Sequence, residues 1–132
     1  MVSRPLIVTY ATAICGSGDV IGDLVYINGN ITNGSYQATK ADPTDTSKMP
    51  VIAVIVNKVN STHAVIQFEG NVSIYTGLVA GKTYYLGTSG RPVNVIPIPD
   101  PGSRLQVQPI GVALDANILK FQPNARLVVL QG

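Results

Sequence analysis

The stretch Pro50-Val51-Ile52-Ala53-Val54-Ile55-Val56-Asn57-Lys58-Val59-Asn60-Ser61-Thr62-His63-Ala64-Val65-Ile66-Gln67-Phe68-Glu69 decides the fold class. Two apolar, β-branched runs flank a short polar group, Asn60 to His63, which reads as the turn of a hairpin between strands at 50–59 and 62–69. Outward from this hairpin the same grammar continues. Runs rich in Val, Ile, Tyr and Thr predict further strands at 5–14, 21–28, 35–39, 71–76, 82–88, 91–97, 105–115, 117–122 and 126–131. Helical spacing is nowhere sustained. Asn28-Gly29-Asn30, Asn33-Gly34-Ser35, Ser89-Gly90 and Asp115-Ala116-Asn117 supply the positive-φ positions that tight turns need. Ala41 to Ser47 and Ile98 to Ser103 read as surface loops, because their prolines cannot join a ladder. The expectation is an all-β fold: a compact β-sandwich or β-barrel of about 8–11 short antiparallel strands, with little or no helix.

The two halves of the chain read as copies. Gly22-Asp23-Leu24-Val25-Tyr26-Ile27 matches Gly81-Lys82-Thr83-Tyr84-Tyr85-Leu86 at a shift of 59 (81 − 22), and Met49-Pro50-Val51 matches Gln108-Pro109-Ile110. Ile52-Ala53-Val54-Ile55 aligns with Ile110-Gly111-Val112-Ala113, and Ala64 to Gly70 with Arg126 to Gly132. Order is kept across all four blocks. The expected organisation is an N-terminal arm at 1–14, engaging a neighbouring subunit, and one β domain at 15–132 with pseudo-halves at 15–70 and 71–132. The generic recurrence of strand, turn and strand in β proteins gives the competing explanation.

With 132 residues the chain is one domain's worth of protein. Charged residues make up 12% and hydrophobic ones 45%, too little charge to cover an isolated globule in the usual way, so much of the surface is expected to face protein. The net charge is +2, and the nine basic residues never cluster, which argues against nucleic acid as a ligand. The start is a poor signal peptide, since Pro5, Thr9, Tyr10 and Thr12 interrupt its apolar stretch, and no run approaches the ~20 apolar residues of a membrane span. A protein made and used without secretion, with no membrane partner, is expected. The Asn-x-Ser/Thr sequons at Asn30, Asn33, Asn60 and Asn71 then serve as polar strand and turn surface.

Catalytic side chains need partners, and here the inventory is thin. His63 is the one histidine and falls in a turn; Cys15 is the one cysteine and reads as a small apolar filler. Asp19 and Asp23 read as turn and bulge formers rather than cation ligands, and Asp42-Pro43-Thr44-Asp45 lacks the further oxygens of a calcium loop. Cys15-Gly16-Ser17-Gly18-Asp19 lacks the spacing of a serine-nucleophile turn. No catalytic, cofactor-binding or metal residues are expected, and the chain reads as non-enzymatic. The six tyrosines, Tyr10, Tyr26, Tyr36, Tyr75, Tyr84 and Tyr85, suit half-buried sheet edges, protein interfaces or a sugar-stacking platform.

Taken in order, Ile21-Gly22-Asp23-Leu24-Val25-Tyr26, Met49-Pro50-Val51-Ile52-Ala53-Val54, Gly77-Leu78-Val79-Ala80-Gly81-Lys82-Thr83-Tyr84-Tyr85-Leu86-Gly87 and Gln108-Pro109-Ile110-Gly111-Val112-Ala113 resemble tailed-bacteriophage virion proteins. In those, a "GD-x-V-Y" strand, a "P-x-x-G-V-A" strand and a "G-L-x-x-G-x-x-Y-Y-L" hairpin recur in capsid decoration (cement) proteins and in head-fibre, tail-fibre and spike modules. The similarity spans about residues 18 to 115. Ala53 stands where the pattern usually has Gly, which leaves Gly111 as the clean copy. The resemblance implies a homotrimer on the outer surface of a virion, made in the host cytoplasm. Its partner would be the major capsid protein or another phage structural protein, and its role would be to stabilise the head shell. A tail-fibre, spike or head-fibre adaptor, or a carbohydrate-binding module, is the alternative. The expected subunit-contact residues are Leu6, Ile7 and Val8 in an arm without protective charges, together with Tyr10, Tyr26 and Tyr84.

Overall fold

A computed structural model describes residues 9–124 and 126–132. It is all-β: twelve strands, with one 3-10 turn at Thr46–Lys48 inside the expected loop. Five strands close into a barrel: β1 (Tyr10–Ile14), β2 (Leu24–Thr32), β3 (Ser35–Lys40), β4 (Ala53–Lys58) and β5 (His63–Gln67), in the order β1-β3-β2-β4-β5. The next five are β6 (Gly70–Val72), β7 (Thr83–Leu86), β8 (Pro92–Val93), β10 (Pro109–Ala113) and β11 (Leu119–Phe121), which form an open sheet ordered β6-β11-β10-β7-β8. A separate ribbon pairs β9 (Arg104–Val107) with β12 (Val128–Gln131). The hairpin that turns at Asn60 to His63 is β4 and β5, with Asn60 Oδ1 accepting the backbone N–H groups of Thr62 and His63 at 2.9 Å each.

Barrel and sheet share one plan. Leu24 opposite Val54 and Val25 opposite Ala53 in the barrel become Thr83 opposite Val112 and Tyr84 opposite Gly111 in the sheet. Val54–Gln67 and Ile55–Ile66 become Val112–Lys120 and Ala113–Leu119. Tyr26–Thr39 and Ile27–Ala38 become Tyr85–Val93 and Leu86–Pro92. Tyr10–Gln67 and Ala11–Ile66 become Asn71–Lys120 and Val72–Leu119. The five strands of one unit therefore correspond in order and register to the five of the other.

The units differ at one seam. In the barrel, β1 and β3 pair in parallel, Ala13 with Tyr36 and Ile14 with Gln37, and this closes the ring. Their counterparts β6 and β8 are the two ends of the open sheet. The barrel interior holds Ala13, Ala38, Ala53 and Ala64 around Val25, Ile55 and Ile66. The sheet carries Tyr84 at the position of Val25 and Leu119 at that of Ile66. They join Leu86, Ile110 and Phe121 in a second core laid over Leu24, Val51 and Val54 on the outer wall of the barrel. Each large apolar side chain buried there contributes about 1.5–3 kcal/mol.

Several expectations are corrected. The sheets are not wholly antiparallel, because β1–β3 is parallel. Asn28-Gly29-Asn30 is no turn: β2 runs through it to Thr32 with register shifts around Gly29, and the reversal comes at Asn33 (φ 50°) and Gly34 (φ 79°). Two successive positive-φ residues make the tight turn whose twist matches a hairpin. The stretch 105–115 is two strands in different sheets, parted at Gln108. The match of Ala64–Gly70 with Arg126–Gly132 also fails, since the register counterpart of β5 is β11, while among the described residues β12 pairs with β9 alone. That likeness was one of apolar composition ending in glycine.

Candidate interaction surface

The expected contact residues scatter. Leu6, Ile7 and Val8 lie outside the described residues. Tyr10 opens β1 opposite Gln67, 55% exposed on the barrel wall. Tyr26 is half-buried against the second core. Tyr84 is buried, and its hydroxyl accepts the Val79 N–H at 2.9 Å, so its ring offers no face to a neighbour. The six tyrosines thus form no continuous platform.

The remaining polar candidates are held in local structure. Asp19, buried, accepts Gly16 N–H at 2.7 Å and the Thr39 hydroxyl at 2.6 Å, fixing the loop between β1 and β2. Asp23, buried, accepts Val20 N–H at 3.0 Å and faces the Arg91 guanidinium at 3.5 Å. His63 Nδ1 lies 2.8 Å from the Thr62 hydroxyl within its turn. Cys15 is half-buried against the barrel interior.

Where the sheet's seam stays open, the barrel's loop fills it. Gly22 sits between Tyr75 and Arg91; the Tyr75 hydroxyl donates to the Gly22 carbonyl at 2.6 Å, and Arg91 donates to the Ile21 carbonyl at 2.7 Å. Gly22 has a φ of 95°, a backbone conformation that other residues rarely adopt, which is why glycine stands at this junction. Burial raises the Tyr75 pKa above the ordinary tyrosine range, with Arg91 opposing and Asp23 adding to the shift. A phenol whose folded pKa is raised contributes stability that is complete below the unfolded value near 10 and lost as pH climbs beyond it. Tyr75→Phe is therefore expected to cost about 1 kcal/mol at neutral pH and to blunt the loss of stability above pH 10. Urea unfolding at pH 7 and pH 10.5 measures both; an alkaline loss as steep in the variant as in the wild type would refute the assignment.

Apolar exposure gathers elsewhere, at positions the sequence reading did not single out. Val95 (71% exposed), Ile96 and Ile98 (88%) stand on the loop after β8, and Val128 (57%) and Val129 (51%) on β12. The loop and the ribbon meet, since the Gly132 backbone packs on the carbonyls of Pro99 and Asp100. Gly87, Val93, Val95, Ile96 and Ile98 line an open hollow of about 370 Å³ on this side. The signal was present in the sequence: Leu127 to Gly132 carries no charge, and Val95-Ile96-Pro97-Ile98 is apolar throughout. Larger open grooves lie between Thr83, Val112, Leu114 and Lys120 on the sheet's outer face and between Thr44, Ile98, Asp100 and Arg104. What this arrangement can do chemically is bury apolar surface and pair strand edges. Comparison of the chain with family models, with curated proteins and with solved structures finds no match.

Proposed function

We propose that this protein is a non-enzymatic structural component of a bacteriophage particle, acting as a capsid decoration protein that binds the head shell and stabilises it by burying protein surface. The observation that carries the reading is the exposed apolar surface of Val95, Ile98, Val128 and Val129 on a chain with 12% charged residues. Exposed apolar side chains grouped on one loop and one strand suit protein–protein contact. The motifs behind the resemblance support it as well, since they fall on or beside β2, β4, β7 and β10, the strands that frame both units. Attachment across shell subunits shifts the equilibrium toward the intact shell by mass action, through many small contacts.

Particles bearing the protein are expected to survive heating or osmotic shock that breaks particles lacking it. Equal survival of the two would remove the decoration role. Copy number separates the related fibre or adaptor role: hundreds per particle fit decoration, and about a dozen or fewer fit a tail or fibre.

A further inference from the structure

We propose that the outer edge of β12, which pairs with no other strand among the described residues, is a two-fold interface to a second copy of this chain. In the ribbon, Gly132 N–H donates to the Ser103 carbonyl at 2.9 Å, while Gln106 N–H, opposite Val129, turns away and donates to the Pro43 carbonyl at 2.8 Å. Antiparallel pairs alternate between bonded and non-bonded rows. Val128 and Leu130 thus bond inward to β9, and the N–H and C=O groups of Val129 and Gln131 point outward. No proline or charged side chain guards Val128 to Gln131, the usual protection of an edge.

That edge is complementary to itself. Centred on Leu130, an antiparallel partner places Val129 opposite the second copy's Gln131, and the reverse, so that all four outward N–H and C=O groups of each strand are used. Leu130 meets its own copy across the axis. No like charges on β12 oppose one another. A four-residue strand alone is too small for a stable interface; Ile98, one residue before the Pro99 carbonyl that touches Gly132, extends the apolar contact. A second copy is the occupant because the same edge, reversed, supplies matching bonding rows and brings no charged side chain of β12 against itself. The inference does not depend on the virion reading, and it gives a two-fold contact in place of the three-fold assembly that the resemblance implies.

Sedimentation equilibrium of the full chain over a concentration series is expected to give the mass of two chains. Val129→Pro removes one outward N–H and no bond to β9, and should weaken association at least about tenfold with the circular dichroism spectrum unchanged. Leu130→Cys in a Cys15→Ser background should oxidise to a covalent dimer. A monomer at all concentrations, a three-chain mass, or unchanged association in folded Val129→Pro would overturn the proposal. If Val129→Pro does not fold, cross-linking through position 130 decides, and its absence counts against the interface.

Discussion

Replacing Gln108 by leucine is expected to lower the unfolding free energy by about 2–5 kcal/mol, a large share of the roughly 5–15 kcal/mol that holds a domain of this size together. Gln108 is fully buried, and its side-chain amide behaves as a piece of backbone. Its Oε1 accepts the Val51 N–H at 2.7 Å, and its Nε2 donates to the Val51 carbonyl at 2.9 Å. Leucine preserves volume but leaves both Val51 groups buried without partners, at about 1–3 kcal/mol each. Urea denaturation measures the loss. Gln37→Leu provides the control, since Gln37 bonds to Asn30 and Thr32 at the exposed end of β2 and should cost no more than about 0.5 kcal/mol. A Gln108→Leu protein within about 1 kcal/mol of the wild type would mean that water or a shifted Val51 backbone satisfies these groups.

Gln108 also shows where the sequence stops being legible. The run 105–115 has the composition of one long strand, and nothing local says that it breaks. The break comes from a contact 57 residues away, where the amide completes the hydrogen bonding of Val51 and lets β9 leave for the ribbon while β10 enters the sheet. The hairpin of β4 and β5 was legible because its pairing is local and its turn chemistry sits in the turn itself. The parallel closure of β1 on β3 was not, since periodicity identifies a strand but not the direction of its neighbour. Asn28-Gly29-Asn30 has the residues of a turn, yet Gly29 is held in β2 against Gln37.

The interaction surface divides the same way. Tyr84 looked available by residue type, but its ring belongs to the second core, a fact set by the large inward positions of the sheet. Val128 and Val129 looked like ordinary strand residues, and among the described residues β12 has a partner on one side only, which leaves them exposed. Composition gave the coarse expectation, too little charge for the surface, while position required the fold. The two units correspond strand for strand, yet one buries its inward residues inside a ring while the other packs Tyr84, Leu86, Leu119 and Phe121 over Leu24, Val51 and Val54 of the first.

One corresponding position tests how far the two units are alike. Gly111 of β10 corresponds in register to Ala53 of β4, yet the two do not have the same freedom. A Cβ at Gly111 would collide with the Lys120 carbonyl on β11 and stand 3.2 Å from the Phe121 Cα, backbone atoms that can yield only if the strands part. Gly111→Ala is therefore expected to cost about 2–4 kcal/mol, whereas Ala53→Gly in the barrel should cost only about 1 kcal/mol through chain entropy and a lost methyl. Hydrogen exchange locates the damage: protection should fall along β10 and β11 while β4 and β5 keep theirs. The large buried residues of the sheet hold β10 and β11 close on the barrel wall, and the glycine is what lets the two backbones approach. Equal costs at the two positions would mean that barrel and sheet tolerate side chains alike there, and that Gly111 is not what lets β10 and β11 approach.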